Sequence, residues 1–133
     1  MLTVPVYRRF SDLDPLGHVN NVAYHDYLQE ARMGLIGDLD AVVSDDFAQI
    51  VVRQEIQHRK PLSHSPDPVR IEIAITSMAR TSYTITYRIL DEDGDTAAEA
   101  TTLMAVVDPQ TGRPIRIPEG LLARLEPHVR AEA

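Results

Sequence analysis

Residues 69–89, VRIEIAITSMARTSYTITYRI, contain two alternating runs that are separated by a short turn. In Val69–Thr76, aliphatic residues alternate with charged and small ones, and in Ser82–Ile89, tyrosine and isoleucine alternate with serine, threonine and arginine. A period of two is the pattern of a strand with one buried face. The two runs therefore predict neighbouring strands of an antiparallel sheet with one apolar face.

Three further segments are predicted to belong to the same sheet. Thr3–Phe10 and Ala48–Arg59 alternate in the same way, and Asp95–Val107 is a long run rich in alanine and threonine. Asp93-Gly94, a frequent hairpin turn, precedes the last of these segments. A five-stranded sheet leaves long edges, which proteins usually cover or pair. Edge pairing in a homodimer would cover them.

The periodicity changes between Asn20 and Ile36, where apolar side chains recur at spacings of three and four residues. This pattern predicts a helix with one apolar face, with Asn20 as its N-cap and Gly37 just beyond its end. Such a helix is about 25 Å long and would cover the apolar face of the sheet. A second, short helix is expected to start at Pro118-Glu119. The predicted fold class is α+β, with one long helix lying across a curled five-stranded antiparallel sheet.

Two polar residues, Gln54 and His58, lie among apolar neighbours on one face of the second predicted strand. A buried polar group needs a hydrogen-bond partner. Each residue is therefore expected either at a subunit interface or in a ligand pocket, and the pattern favours the interface.

The size and charge of the chain exclude several classes of protein. The 133 residues are expected to form a single domain, 1–133. The formal net charge of −7 opposes binding to nucleic acid, which depends on a field of lysine and arginine. No basic-then-apolar leader follows Met1, and no apolar run reaches the roughly 20 residues that a membrane span needs. With no cysteine and no membrane signal, a cytoplasmic protein is expected.

Several kinds of site cannot be built from this sequence. The six glycines do not allow a phosphate-binding loop or a GxGxxG fingerprint, and no GxSxG motif occurs. The five histidines include no HExxH pair. We therefore expect neither a metal site nor a cofactor.

The segment Ser11–Tyr24, SDLDPLGHVNNVAY, places two carboxylates, an imidazole and two side-chain amides just before the predicted helix. The start of a helix presents unpaired N–H groups and a partial positive charge. Those near Val19 to Asn21 would stabilise the negative charge that develops on a thioester oxygen. A nearby carboxylate can attack the carbonyl carbon or remove a proton from water. These physical arguments do not by themselves select thioesters.

Asp14–Tyr24 resembles the signature of hotdog-fold acyl-CoA thioesterases of the 4-hydroxybenzoyl-CoA thioesterase-like family. It is also similar to the catalytic segment of plant acyl-carrier-protein thioesterases. Residues 59–62, 80–82 and 111–118 resemble further segments of the family, so the resemblance covers nearly the whole chain. It implies a hotdog fold, in which a five-stranded antiparallel sheet wraps around one long central helix. It also implies an acyl-CoA substrate and active sites at the subunit interface of a homodimer or homotetramer.

The resemblance assigns catalytic roles position by position. Asp14 matches the catalytic aspartate and would act as nucleophile or as general base. His18 matches the histidine of the plant-type signature, and Asn20 matches the first of its paired asparagines. The plant-type enzymes have a catalytic asparagine where this chain has Leu16, which favours the acyl-CoA branch of the family.

Each catalytic candidate also has a structural alternative. Asp14 precedes Pro15 and suits a turn in which the carboxylate bonds its own backbone. His18 is equally suited to orienting the loop, and Asn20 to capping the helix. Asp12 is expected to be structural or an electrostatic neighbour of Asp14.

Four further residues are candidates for substrate binding. Tyr24 is expected in the core, and it would line an acyl pocket that reaches the first turn of the helix. Arg59, Lys60 and Arg80 would meet the phosphates of coenzyme A. The alternative for all three is a solvated surface charge.

Two other functions on the same scaffold stay open. A binding or sensing module would show saturable binding of acyl-CoA without turnover. A hotdog hydratase or dehydratase would act on the β-carbon of an acyl thioester, although those relatives place their catalytic residues in a differently spaced motif.

Overall fold

A computed structural model describes residues 1–37, 44 and 46–130 of the chain. Its strands, in chain order, are β1 (Leu2–Val6), β2 (Ala48–His58), β3 (Val69–Met78), β4 (Ser82–Leu90) and β5 (Thr96–Val107). They form one sheet in the spatial order β1-β3-β4-β5-β2, and each neighbouring pair is antiparallel. The helices are α1 (Ala23–Ile36) and α2 (Glu119–Leu125), and 3-10 turns span Phe10–Asp12 and Glu126–His128. The predicted α+β class and five-stranded antiparallel sheet are confirmed.

The first strand ends earlier than predicted. Phe10, which the alternation placed on a strand, begins a 3-10 turn that is closed by a hydrogen bond from the N–H of Asp12 to the carbonyl of Arg9 at 2.9 Å. The Arg9 guanidinium also donates to the Asp12 carboxylate at 2.8 Å. These local hydrogen bonds outweigh the alternation, so the chain leaves the sheet after Val6.

The single long helix predicted for residues 20–36 is not evident. The helix in this region, α1, has 14 residues and begins at Ala23, and its N-cap is Val22 rather than Asn20. The end predicted at Gly37 agrees with the structure, because the N–H of Gly37 donates to the carbonyl of Met33 at 2.9 Å. In the described ranges, neither helix has the length and apolar character that a membrane crossing requires.

The core lies between α1 and one face of the sheet. The buried apolar residues of α1 include Tyr24, Tyr27, Leu28, Ala31 and Leu35. The sheet contributes the aliphatic residues of the alternating runs, among them Ile71, Ile73, Ile75, Ile85 and Ile89. Burial of a side chain of this size stabilises a fold by about 1.5–3 kcal/mol. The alternation in residues 69–89 therefore fixes which face of the sheet meets α1.

Gly34 marks a close approach of α1 to β1. A Cβ atom on Gly34 would lie 2.8 Å from Cγ2 of Val4, and a branched valine side chain has little freedom to rotate away. We expect Gly34→Ala to lower the free energy of unfolding by about 1 kcal/mol, because overpacking costs about 1–3 kcal/mol and the helix propensity of alanine restores about 1 kcal/mol. Urea unfolding followed by circular dichroism measures the change.

Gly120 in α2 provides the matched control. A Cβ atom there would meet no neighbour within 4 Å, so Gly120→Ala should keep or raise the free energy of unfolding. Equal stability of the two alanine variants would contradict the tight packing of α1 on β1.

Candidate active site

The loop before α1 is organised around the carboxylate of Asp14. Its Oδ1 accepts hydrogen bonds from the backbone N–H groups of Leu16 at 2.9 Å and His18 at 3.1 Å. Gly17, with a φ of 80°, donates its N–H to the Asp14 carbonyl at 3.0 Å. The structural alternative for Asp14, a turn that bonds its own backbone, is therefore present. Both side-chain bonds fall on Oδ1, so Oδ2 has no donor within residues 1–37, 44 and 46–130.

Asp12 ties this loop to α1. Its buried carboxylate accepts hydrogen bonds from the Tyr27 hydroxyl at 2.7 Å and from Nη2 of Arg9 at 2.8 Å. Its carbonyl accepts a third from the N–H of Asn20 at 2.7 Å. Burial raises the pKa of Asp12, but the hydrogen bonds from Arg9 and Tyr27 outweigh it and hold that pKa below its ordinary value. Asp12 therefore has a structural role.

A cleft of about 280 Å³ lies beside this loop. Its walls come from the loop, the first turn of α1 and the end of β2. The lining residues include Asp14, His18, Asn21, Tyr24, His58, Arg59 and Lys60. Five of the seven residues predicted for the site are among them, and the other two, Asn20 and Arg80, are not.

Two rings define the wall of the cleft between α1 and β2. Tyr24 is 1% exposed, and burial raises the pKa of its hydroxyl. The imidazole of His58 meets the Tyr24 ring edge to face, with centroids 4.6 Å apart and an interplanar angle of 78°. Tyr24 thus belongs to the core, as expected, and it also lines the cleft at the first turn of α1.

The backbone N–H groups expected to polarise a carbonyl, those of Val19 to Asn21, differ in availability. The N–H of Val19 donates to the Leu62 carbonyl at 2.7 Å, and that of Asn20 donates to the Asp12 carbonyl at 2.7 Å. The N–H of Asn21 has no acceptor in the part of the chain that the structure describes, and Asn21 lines the cleft. Among the three expected donors, only that of Asn21 is therefore free to bind a ligand.

Asn20 shapes the turn that leads from this loop into α1. Its Oδ1 accepts a hydrogen bond from the N–H of Val22 at 2.7 Å, and its carbonyl accepts one from the N–H of Ala23 at 3.0 Å. The side chain is thus occupied outside the cleft, and it fixes the backbone on both sides of Asn21.

The two basic residues of the cleft are already paired with carboxylates. Nη2 of Arg59 lies 2.9 Å from Oε2 of Glu99. Nζ of Lys60 lies 2.6 Å from Oδ2 of Asp91 and 3.2 Å from Oδ2 of Asp95. The hydrogen bonds to these two aspartates raise the pKa of Lys60. A phosphate at the cleft would have to compete with these carboxylates for both cations.

Arg80 lies at the other end of the sheet. His58 at the end of β2 pairs with Ala98 of β5. Across the sheet, Ala98 pairs with Ile89 of β4, and Ile89 pairs with Ile71 of β3. Arg80 follows Met78, the last residue of β3. Seven residues at about 3.3 Å each separate the rows of Ile71 and Met78, a distance of about 23 Å. Within one subunit, Arg80 therefore does not meet the cleft.

Residues 8–125 match the profile of the thioesterase-like superfamily, which covers most of the chain. The chain belongs to this superfamily. The match includes the whole loop, α1 and the end of β2, and so every element that forms the cleft. The family predicted from Asp14–Tyr24 is therefore confirmed.

Individual relatives of this thioesterase-like chain agree with the family. It is 26% identical over 126 residues to the acyl-CoA thioester hydrolase YbgC of Escherichia coli O6:H1, which covers 92% of this chain and 93% of the relative. The solved structure of YbaW, a probable thioesterase from Escherichia coli, is 25% identical with a TM-score of 0.81, over 98% of this chain and 100% of that one. A thioesterase from Thermus thermophilus complexed with coenzyme A and Zn is 29% identical with a TM-score of 0.78, over 94% and 92% of the two chains. The predicted enzyme class, thioester hydrolase, is thereby confirmed at the level of the family.

The sequence alone did not assign His58 to this thioesterase-like cleft. The alternation left it between an interface and a pocket and favoured the interface. Within one subunit it lines the cleft, and its place at an interface stays a prediction. The available signal was its position at the end of a strand, directly before Arg59 and Lys60.

The stabilising role of Asp12 can be tested through pH. A carboxylate whose pKa is lower in the folded state stabilises the fold above its ordinary pKa, about 3.9. This contribution disappears as the pH falls through the lowered folded value. We expect Asp12→Asn to lower the free energy of unfolding by about 1–3 kcal/mol at pH 7, and the difference from the wild type to shrink below about pH 3.9.

Urea unfolding at several pH values between 7 and 3 measures this difference. Asp46→Asn, at an exposed carboxylate, is the control and should show no pH-dependent difference. A constant difference between wild type and Asp12→Asn over that range would mean that the charge of Asp12 does not stabilise the fold.

Proposed function

We propose that this chain is an acyl-CoA thioester hydrolase in which Asp14 is the reacting carboxylate. The observation that carries the proposal is that Asp14 and Asn21 line one cleft, and that the N–H of Asn21 has no acceptor among the described residues. The name of the relative YbgC, an acyl-CoA thioester hydrolase, supports the substrate class. So does the coenzyme A that the Thermus thermophilus thioesterase binds.

The two oxygens of Asp14 have different roles in this proposal. Oδ1 accepts the N–H groups of Leu16 and His18 and fixes the orientation of the carboxylate. Oδ2 is left to react. The thioester oxygen accepts a hydrogen bond from the N–H of Asn21, where the partial positive charge at the start of α1 opposes the developing negative charge.

Two routes from this arrangement lead to the same products. Oδ2 of Asp14 attacks the carbonyl carbon, the C–S bond breaks with its electrons on sulfur, and water then hydrolyses the mixed anhydride. Alternatively, Asp14 removes a proton from water as the water oxygen attacks the carbonyl carbon. In both routes one water is consumed, and a carboxylic acid and the coenzyme A thiol are released.

The other predicted site residues support this reaction in different ways. His18 lines the cleft and contacts the bound thioester. Asn20 acts as a positioning residue, because its hydrogen bonds to Val22 and Ala23 hold the turn that presents the N–H of Asn21. Tyr24 forms the wall against which the acyl group packs.

Recognition of coenzyme A involves the basic residues at the cleft. Arg59 and Lys60 exchange a carboxylate partner for a phosphate when the substrate binds, and such charge-assisted bonds are strong. Arg80 would contribute only from a second subunit, because it lies at the far end of its own sheet.

A homodimer that pairs two β2 edges would bring Arg80 closer to the cleft of the partner subunit. The edge of β2 exposes three consecutive apolar residues, Ile50, Val51 and Val52, which are 46%, 46% and 56% exposed. Edge pairing would cover them. If the two β2 strands pair antiparallel, the start of one lies beside the end of the other, and the Arg80 end of one sheet approaches the His58 end of its partner.

The remaining expectations complete the proposal. In it, residues 1–133 form one hotdog domain in which the sheet curls around α1, and the assembly is a homodimer, with a tetramer of two such dimers as the alternative. A cytoplasmic location stays a prediction.

Hydrolysis is tested by following thiol release from a panel of acyl-CoA substrates. We expect Asp14→Asn to lower kcat/KM by at least about 100-fold, the scale of a lost acid–base or nucleophilic group. The asparagine keeps an oxygen for Leu16 and His18, so the loop should stay folded. Saturable binding of acyl-CoA without turnover by the wild type would contradict the hydrolase and favour the binding module.

Asp108 is the matched control for this substitution. It also precedes a proline, and its Oδ1 accepts the N–H of Gln110 at 2.8 Å, but it does not line the cleft. Asp108→Asn should therefore hydrolyse like the wild type. Unchanged thiol release by Asp14→Asn would remove Asp14 from its role.

The β2 edge is tested by introducing a charge. Val52→Lys should give a monomer and lower the rate of hydrolysis, because a lysine on an edge strand opposes pairing. Size-exclusion chromatography with light scattering measures the mass. Val129→Lys, at an exposed apolar residue away from β2, should leave the mass of the wild-type dimer unchanged. A dimeric Val52→Lys variant would contradict the proposed interface.

A further inference from the structure

We propose that His58 is a further catalytic residue, which donates a proton to the thiolate that leaves when the thioester bond breaks. This inference rests on the proposed hydrolase function and assigns its leaving-group step. Three observations support it: the position of His58 at the end of β2, the contact of its ring with Tyr24, and the lack of a hydrogen-bond partner for its ring nitrogens among the described residues.

The backbone around His58 is held on both sides. His58 is the last residue of β2 and pairs with Ala98 of β5. Beyond it, the N–H groups of Arg59 and Lys60 donate to the carbonyl of Ala97 at 2.8 and 3.2 Å. The imidazole is therefore carried by the sheet, whereas Asp14 and His18 are carried by the loop.

The exposed ring of His58 packs on Tyr24. The edge-to-face contact at 4.6 Å joins it to a ring that is 1% exposed and cannot move without disturbing the core. A catalytic group needs such a fixed orientation to transfer a proton efficiently. This contact restrains the ring without consuming either nitrogen.

The nitrogens of His58 differ from those of His25 in their partners. Nδ1 of His25 is hydrogen bonded to Gln54 at 2.6 Å. The imidazole of His58 has no hydrogen-bond partner among the described residues, and it lines the cleft together with Asp14. A substrate atom or water in the cleft therefore has access to both nitrogens of an imidazole, the side chain used most often in general acid–base catalysis.

The proton that His58 gives to the leaving sulfur is replaced by one from the attacking water. In the general-base route, water attacks the carbonyl carbon and gives one proton to the carboxylate of Asp14. The tetrahedral intermediate collapses, the C–S bond breaks with its electron pair on sulfur, and the His58 imidazolium gives its proton to that sulfur. The proton on Asp14 then passes through solvent to His58, and both groups return to their starting states.

The acidity of the leaving thiol provides the test. An alkyl thiol such as that of coenzyme A has a pKa of roughly 8.5 by analogy with cysteine, so its departure near pH 7 is assisted by a proton. An aryl thiol is more acidic and leaves as the thiolate with less assistance. Loss of a proton donor should therefore slow an acyl-CoA much more than the aryl thioester of the same acid.

The variant to test is His58→Phe, which keeps an aromatic ring against Tyr24 and removes both nitrogens. We expect it to lower kcat for the acyl-CoA by about 100-fold, and to lower kcat for the aryl thioester by less than tenfold. His58→Gln should show the same pattern without the ring. His64→Phe, at an exposed histidine outside the cleft, should match the wild type on both substrates.

The results separate the failure of this inference from that of the proposed function. Equal losses on the two substrates, or no loss, for a His58→Phe variant with wild-type thermal stability would overturn the role of His58. If Asp14→Asn is inactive in the same assays, the hydrolase stands without it. A wild type that hydrolyses neither substrate would overturn both.

Discussion

The buried carboxylate of Asp12 is the contact on which the candidate site depends. It joins the end of the first strand region through Arg9 and the core through the Tyr27 hydroxyl, and the backbone carbonyl of the same residue accepts the N–H of Asn20 in the loop before α1. A buried carboxylate without these donors would be costly. With them it is a rigid junction, and it holds the loop in one position relative to α1.

Within a few residues, the loop that Asp12 holds contains polar groups that fix its conformation and others that are free to bind a ligand. One oxygen of Asp14 closes the turn, and the other has no donor among the described residues. The N–H groups of Val19 and Asn20 hold the loop to its neighbours, and that of Asn21 stays free. A carboxylate oxygen and an N–H group are thus left unpaired on one cleft, next to the start of a helix whose dipole favours negative charge.

The sequence predicted the elements whose patterns are local. The alternation in residues 69–89 and the segment Asp14–Tyr24 were sufficient for the sheet, the α+β class and the family. The start of α1 was predicted too early, because Asn20 has the side chain of a helix cap but uses it one turn ahead of the helix. The end of β1 was predicted too late. The alternation continues past Val6, but the Arg9–Asp12 hydrogen bonds stabilise a turn there.

The site was less predictable than the fold because it depends on register and on pairing partners. The residues around His58 do not indicate that β2 ends beside Tyr24, because this proximity results from the pairing of β2 with β5. Likewise, the type of Arg59 and Lys60 suggests phosphate binding, but their carboxylate partners come from distant positions. Arg80 was grouped with them by chemical type, and the register of the sheet separates it from them.

The central claim is that Asp14 and the N–H of Asn21 act on the same carbonyl group. A crystal structure with an acyl-CoA analogue in which a methylene replaces the thioester sulfur tests it most directly. We expect the carbonyl oxygen about 2.7–3.1 Å from the nitrogen of Asn21, with the carbonyl carbon facing Oδ2 of Asp14. An analogue whose carbonyl lies outside this cleft, with the Asp14 carboxylate turned toward solvent, would contradict the account.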